Sequence, residues 1–248
     1  MKNRKQPMPK KLPLPAEVTY LLAIVIMAFS VAMVTAADFG VSMIVAPAYI
    51  LSRALGITFG QGEYIIQGIA FVLFCIIMKK LKVAYFGAFV TGLLYGAVLD
   101  FWRSVIPAFS PEVIAAGSLS MTVRIIFFLV GECLTGISVA LFFKTYLYPQ
   151  VYDFFVKGIT EQYQLNRTKF KIGFDCSMLV LSLLMTLLIF RKLVGVGVGT
   201  LIMCAVNGAL IGFFDRLLSK WFRFPALFPK AEQYFMQQIT PAVEPQGD

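Results

Sequence analysis

Six apolar segments, each near the length of a membrane-crossing helix, constrain this chain more than any other feature. They run from about 18 to 37, 63 to 78, 83 to 101, 121 to 143, 172 to 190 and 193 to 214. At roughly 1.5 Å per residue, such segments cross about 30 Å of hydrocarbon as helices. In lipid, backbone groups must pair within their own segment, and a helix does that without a closed sheet. Composition agrees: 59% of residues are hydrophobic and 14% are charged. Soluble domains hold about half and about a quarter. The first segment follows a basic leader and ends Thr35-Ala36-Ala37, like a secretory signal. Its apolar run is longer than a signal core, so it reads as an uncleaved first helix.

Lysine and arginine orient the spans. With the N-terminus inside, seventeen of the 22 basic residues fall in the leader, the 2–3 loop, the 4–5 loop and the tail. Arg53, Arg103, Arg191 and Lys192 fall outside, and Arg124 lies within the fourth helix. Both termini are therefore expected in the cytoplasm, at a bacterial inner membrane. The same asymmetry accounts for the net charge of +9 without any nucleic-acid partner. The lipid bilayer and a small solute are the expected partners, with the oligomeric state left open.

The chain contains no histidine. That removes the commonest general base and the usual zinc ligand. Cys75, Cys133, Cys176 and Cys204 each sit in an apolar run without a CxxC pair, and read as buried small hydrophobes. No enzyme activity, metal or cofactor is expected. The run Gly195-Val196-Gly197-Val198-Gly199 lacks the strand–helix context and spacing of a dinucleotide loop.

Two connectors are unusual. Residues 41 to 60 are too apolar for water yet broken by Pro47, Gly56 and Gly60. Residues 145 to 171 alternate aromatics and charges at helical spacing. Both predict short interfacial or re-entrant helices. The connectors also match each other, Pro47 and Tyr49 with Pro149 and Tyr152, and Gly56 with Gly158. Beyond a gap, residues 63 to 103 align onto 175 to 215 without a break. Glu63 meets Asp175, Lys79-Lys80-Leu81 meets Arg191-Lys192-Leu193, and Gly87, Gly96 and Phe101 meet Gly199, Gly208 and Phe213. Three helices per half is an odd number, so the second half enters from the opposite side. The predicted fold is an all-α membrane protein whose six transmembrane helices form a 3+3 inverted repeat, with short interfacial or re-entrant helices after helices 1 and 4. The parts are a leader (1–17), a first repeat (18–103), an external loop (104–120), a second repeat (121–218) and a cytoplasmic tail (219–248).

Ionisable groups inside spans are costly and face protein or water. Asp38, Asp100 and Asp215 lie near helix ends, where water or headgroups reach them. Glu63 and Asp175 read as opening helices 2 and 5, where they could cap, yet they occupy matching repeat positions. Glu132 lies deepest, in helix 4, and Arg124 is eight residues away and turned to another face. Glu132 must then bond to another helix or carry a proton. Tyr95 and its counterpart Asn207 lie deep enough to line a pocket. Tyr49 and Tyr152 lie in the connectors. The glycines Gly87, Gly92, Gly96, Gly199, Gly208 and Gly212 recur at about one turn and predict close helix contacts.

Several of these motifs resemble the YitT and YczE families of bacterial membrane proteins. The resemblance rests on Val45-Ala46-Pro47 before Gly56-Ile57, on Tyr152-Asp153 before Gly158-Ile159, on Asp175, and on Gly199-Thr200-Leu201 through Asn207-Gly208 to Ile211-Gly212. YitT proteins carry paired glycines where this chain has Tyr49-Ile50 and Tyr152-Asp153, and the soluble YitT tail is missing, so the chain is nearer YczE. The resemblance implies a six-helix inner-membrane protein and suits a transporter.

The expected function is transport of a small cationic or zwitterionic solute, with proton coupling as an option, by a site between inverted repeats. Its lining would include Glu63, Glu132, Asp175, Tyr49, Tyr95, Tyr152, Asn207 and Arg124. The alternatives are a substrate-binding membrane subunit energised by a separate ATPase, and a membrane scaffold whose acids only pair structurally.

Overall fold

The computed structural model describes residues 11–79 and 83–239. Part of the basic leader, Lys80 and Lys82 of the 2–3 loop, and the end of the tail lie outside them. Within the described residues the regular secondary structure is helical apart from one two-residue strand pair. The helices are α1 (Ala16–Ala37), α2 (Ala46–Leu55), α3 (Phe59–Met78), α4 (Val83–Val105), α5 (Pro111–Ala115), α6 (Met121–Phe142), α7 (Val151–Gln162), α8 (Arg167–Phe190), α9 (Val198–Trp221) and α10 (Pro229–Ile239). Six of them, α1, α3, α4, α6, α8 and α9, are long and apolar enough to cross a membrane.

Boundaries follow local chemistry. Thr58 caps α3 by accepting from the Gln61 amide, and the Gln61 side chain accepts from the Thr58 amide. Asn166 caps α8 through the Lys169 amide. The two helices therefore begin before the apolar runs that mark them, because their first turns are polar. Glu63 becomes the fifth residue of α3 and Asp175 the ninth of α8, so neither is a cap. The last span begins at Val198 rather than 193. Gly195 holds φ +74° and turns the chain first, while the Thr186 hydroxyl donates to the Lys192 carbonyl and accepts from the Val194 amide. Residues 104–120, expected as a loop, contain a 3-10 turn (Pro107–Phe109) and α5. They pack inward, with the Phe109 and Phe29 rings 5.6 Å apart.

The long helices α1 and α6 form the spine. Ala23, Ala28 and Ala32 are fully buried on α1. The Ser138 hydroxyl donates to the Ala23 carbonyl at 2.7 Å, and Thr135 to Ser30 at 3.0 Å. A Cβ on Gly131 would meet Val34 at 2.6 Å. Rising numbers on one helix meet falling numbers on the other, so the pair is antiparallel. The α2–α3 and α7–α8 connections lie at opposite ends, so α3, which carries Glu63, and α8, which carries Asp175, start from opposite ends.

Around the spine, α1 packs on α4 and α6 on α9, while α2 packs on α8 and α7 on α3. Where α3 meets α4, a Cβ on Gly60 would meet the Gly96 carbonyl at 2.2 Å, so only glycine fits. Gly208 and Gly212 on α9 have nothing within 4 Å, and the close contact expected of them does not form. At the end holding the described termini, Leu12–Pro13 pairs in parallel with Phe222–Arg223. Glu17 fastens this strap by accepting from the Leu227 and Phe228 amides and the Tyr146 hydroxyl.

Candidate functional site

The most deeply buried polar group is a cluster of four side chains. Glu63 and Gln67 sit one turn apart on α3, Tyr95 comes from α4 and Tyr152 from the start of α7. Their exposures are 0%, 1%, 0% and 2%. Glu63 Oε2 accepts from Gln67 Nε2 at 3.0 Å and from the Tyr152 hydroxyl at 3.1 Å. Glu63 Oε1, Gln67 Oε1 and the Tyr95 hydroxyl have no hydrogen-bond partner among the described residues. Glu63 forms no ion pair among them either. Leaving even one buried polar atom unpaired costs about 1–3 kcal/mol, and this cluster leaves three. A sealed carboxyl without a basic partner must hold a proton or a bound cation.

Local packing explains the arrangement. Gln67 occupies the space beside Gly92 that a Cβ there would claim. Asp100 anchors the start of α3 on α4 by accepting from the Thr58 hydroxyl and the Gly60 amide. Tyr148 covers Gly87, and its carbonyl accepts from the Thr91 hydroxyl at 2.9 Å. Burial, with Tyr234 and Tyr85 nearby, pushes the Tyr148 hydroxyl up to about 12, so this wall stays neutral.

Of the eight residues expected to line the site, Glu63, Tyr95 and Tyr152 come together. Gln67 was missed, although its position one turn after Glu63 on the same face was readable. Glu132 is 4% exposed, and both its carboxyl oxygens lack partners among the described residues. It belongs to a different interface. Phe128 packs at Gly199, and Leu210 and Phe214 pack at Gly136, which puts Glu132 level with Met203–Asn207 of α9. The Asn207 Oδ1 atom is also sealed and unpaired. Asp175 Oδ1 is likewise sealed without a hydrogen-bond partner among the described residues, but unlike Glu63 it has a cation beside it: Lys171 Nζ lies 3.6 Å from it and 3.5 Å from Asp153 of α7.

Arg124 lies away from the cluster, at the end of α1. Its Nε donates to the Ala37 carbonyl at 2.7 Å and its Nη2 to the Asp38 carbonyl at 2.9 Å. The guanidinium stands 4.9 Å from the Phe39 ring centroid. Tyr49 lines a separate cavity, and its ring is 5.2 Å from Phe59, one turn before Glu63.

The sequence profile of a family described as a family of unknown function, DUF6198, matches residues 15–216. No curated protein and no solved structure matches the chain.

Proposed function

The chain belongs to that family of unknown function, and we propose that it is a small-solute transporter of the bacterial inner membrane. Its solute is cationic or zwitterionic, and its site is the Glu63–Gln67–Tyr95–Tyr152 cluster. The observation that carries this reading is the buried, unpaired carboxyl of Glu63, held by helices from both halves of the chain. An intramembrane acid of this kind is costly unless it serves a solute, a cation or a proton.

The packing supports an inverted repeat. Exchanging α1, α2, α3 and α4 with α6, α7, α8 and α9 turns the α2–α8 contact into the α7–α3 contact, and the α1–α4 contact into the α6–α9 contact. The antiparallel α1–α6 pair maps onto itself. A site where such halves meet is the usual arrangement in this architecture. A re-entrant α7 is supported by its course along α3. Tyr152, at its start, bonds to Glu63, and Tyr163, just past its end, donates to the Ile77 carbonyl at 3.0 Å. The basic residues orient both termini to the cytoplasm. The motif likeness to the YczE side suits the same reading without naming a solute.

The test is a thermal-shift screen of the purified chain over small amines and amino acids, followed by uptake of each hit into proteoliposomes. A ligand raises stability by mass action. The expected result is a stabilising solute that is taken up by the parent and loses both effects in Glu63→Gln. Uptake that persists unchanged in Glu63→Gln would contradict the assignment.

A further inference from the structure

We propose a second binding site, for an oxyanion, at the end of the bundle away from the described termini. It would hold the carboxylate or phosphate group of a small solute or of a lipid headgroup. The proposal stands on a cavity and its charges, and does not depend on Glu63.

A cavity of about 500 Å³ opens between the α1–α2 connection, α5 and the α8–α9 connection. Its walls include Tyr49 and Arg53 of α2, Lys192, and residues 195–198. Tyr49 is 6% exposed, yet its hydroxyl makes no hydrogen bond with any described residue. Asp38 is the one acid on the walls, and Arg124 already holds it at 3.3 Å. Arg53 and Lys192 have no carboxylate within 4.0 Å among the described residues. The walls therefore carry uncompensated positive charge.

A third cation stands behind Tyr49. Arg103 of α4 is 8% exposed, and no described carboxylate lies within 4.0 Å of it; Asp100 and Glu112 act on it only from further away. Its guanidinium stands 5.5 Å from the Phe59 ring centroid, and that ring packs against Tyr49. A cation–aromatic contact returns only part of the cost of burying an unpaired charge. Arg53, Arg103 and Asp38 all act through space on the Tyr49 hydroxyl. The α9 helix adds its positive end. Gly199 and Thr200 donate to Phe39 and Gly197, while the Val198 amide in the cavity wall has no such partner. A helix start of this kind favours an anion.

The charge distribution singles out the same place. Of the five basic residues that the sequence does not put on the cytoplasmic side, Arg53, Arg103 and Lys192 gather at or behind this wall, and Arg124 holds Asp38 beside it. Arginine and lysine around a free tyrosine hydroxyl and a helix start suit an oxyanion by charge-assisted hydrogen bonds.

The experiment uses the purified full chain. Its melting temperature is followed in neutral detergent against inorganic phosphate, acetate and chloride at matched ionic strength. A second arm compares nanodiscs of phosphatidylglycerol with nanodiscs of phosphatidylcholine. The expected result is a saturable rise with phosphate or acetate, absent with chloride. Arg103→Gln should abolish it, and Lys192→Gln should raise the concentration for half effect at least tenfold. If Arg103→Gln does not fold, Lys192→Gln and Tyr49→Phe, both on the cavity wall, decide the matter by the same weakened response. A rise confined to phosphatidylglycerol nanodiscs and lost in these variants assigns the site to a headgroup and supports the proposal. Glu63→Gln should keep the full response. A response equal in all variants, no response in either arm, or loss of it in Glu63→Gln would overturn the proposal.

Discussion

Gly96 on α4 and Gly208 on α9 align in the sequence, yet only Gly96 is used for packing. A Cβ at Gly96 would meet Tyr64 at 2.4 Å, whereas Gly208 has nothing within 4 Å. The first half therefore has a closed helix pair, α3 against α4. In the second half, α8 and α9 each bury only 17% of their most apolar window. The acids divide the same way. Glu63 is sealed inside the closed pair without a basic partner, while Asp175 is half-buried beside Lys171. Matching residues have acquired different chemistry because one pair of helices closes around its acid and the other does not. A shared pattern of small residues permits close packing but does not compel it.

That contrast can be tested from its strongest element downward. Glu63→Gln should reduce uptake of an identified solute at least tenfold, a change of about 1.4 kcal/mol. Asp175→Asn should leave uptake nearer the parent rate, since Asp175 already has Lys171 as a basic partner. Equal losses in the two variants would remove the distinction. Next, Gly96→Val should destabilise the protein by about 1–3 kcal/mol through overpacking, and Gly208→Val by less than about 0.5 kcal/mol. Melting temperatures in detergent would show this, and a large loss at Gly208 would mean that its face is covered by another chain or by ordered lipid. Arg124→Gln removes donors to the Ala37 and Asp38 carbonyls. Its expected cost is about 1–2 kcal/mol, read by the same melts. Lys171→Met should have the smallest effect, below about 1 kcal/mol. Its partners are 40% and 22% exposed, and the effect should shrink further in high salt.

Much of the fold was legible because apolar run length is a direct consequence of bilayer thickness. All six long helices overlap the expected segments, and the two short ones after α1 and α6 fall inside the expected connectors. Helix starts were displaced where capping residues are polar, at Thr58 and Asn166. The last span was displaced because Gly195 turns the chain, and apolar content alone does not report a positive φ. The site was legible in part. Intramembrane acids are rare enough to draw attention, which pointed to Glu63 and Glu132. Depth in the span marks Tyr95, and the match between the connectors marks Tyr152. Gln67 carries no charge and escaped notice. That Glu63 and Glu132 lie in different interfaces depends on helix rotation, which spacing along one segment does not reveal. The destination of Arg124, at the end of α1, needed the antiparallel α1–α6 register.

If the proposed transporter uses the sealed cluster as its site, that cluster must open to each side of the membrane in turn. The most direct measurement uses a variant with Cys75, Cys133, Cys176 and Cys204 replaced by serine or alanine and a single cysteine at Tyr152. The protein is reconstituted in right-side-out and inside-out vesicles and treated with a membrane-impermeant thiol reagent. The account predicts slow labelling from either face and protection by a stabilising solute. Labelling from neither face, or from one face alone regardless of solute, would contradict it.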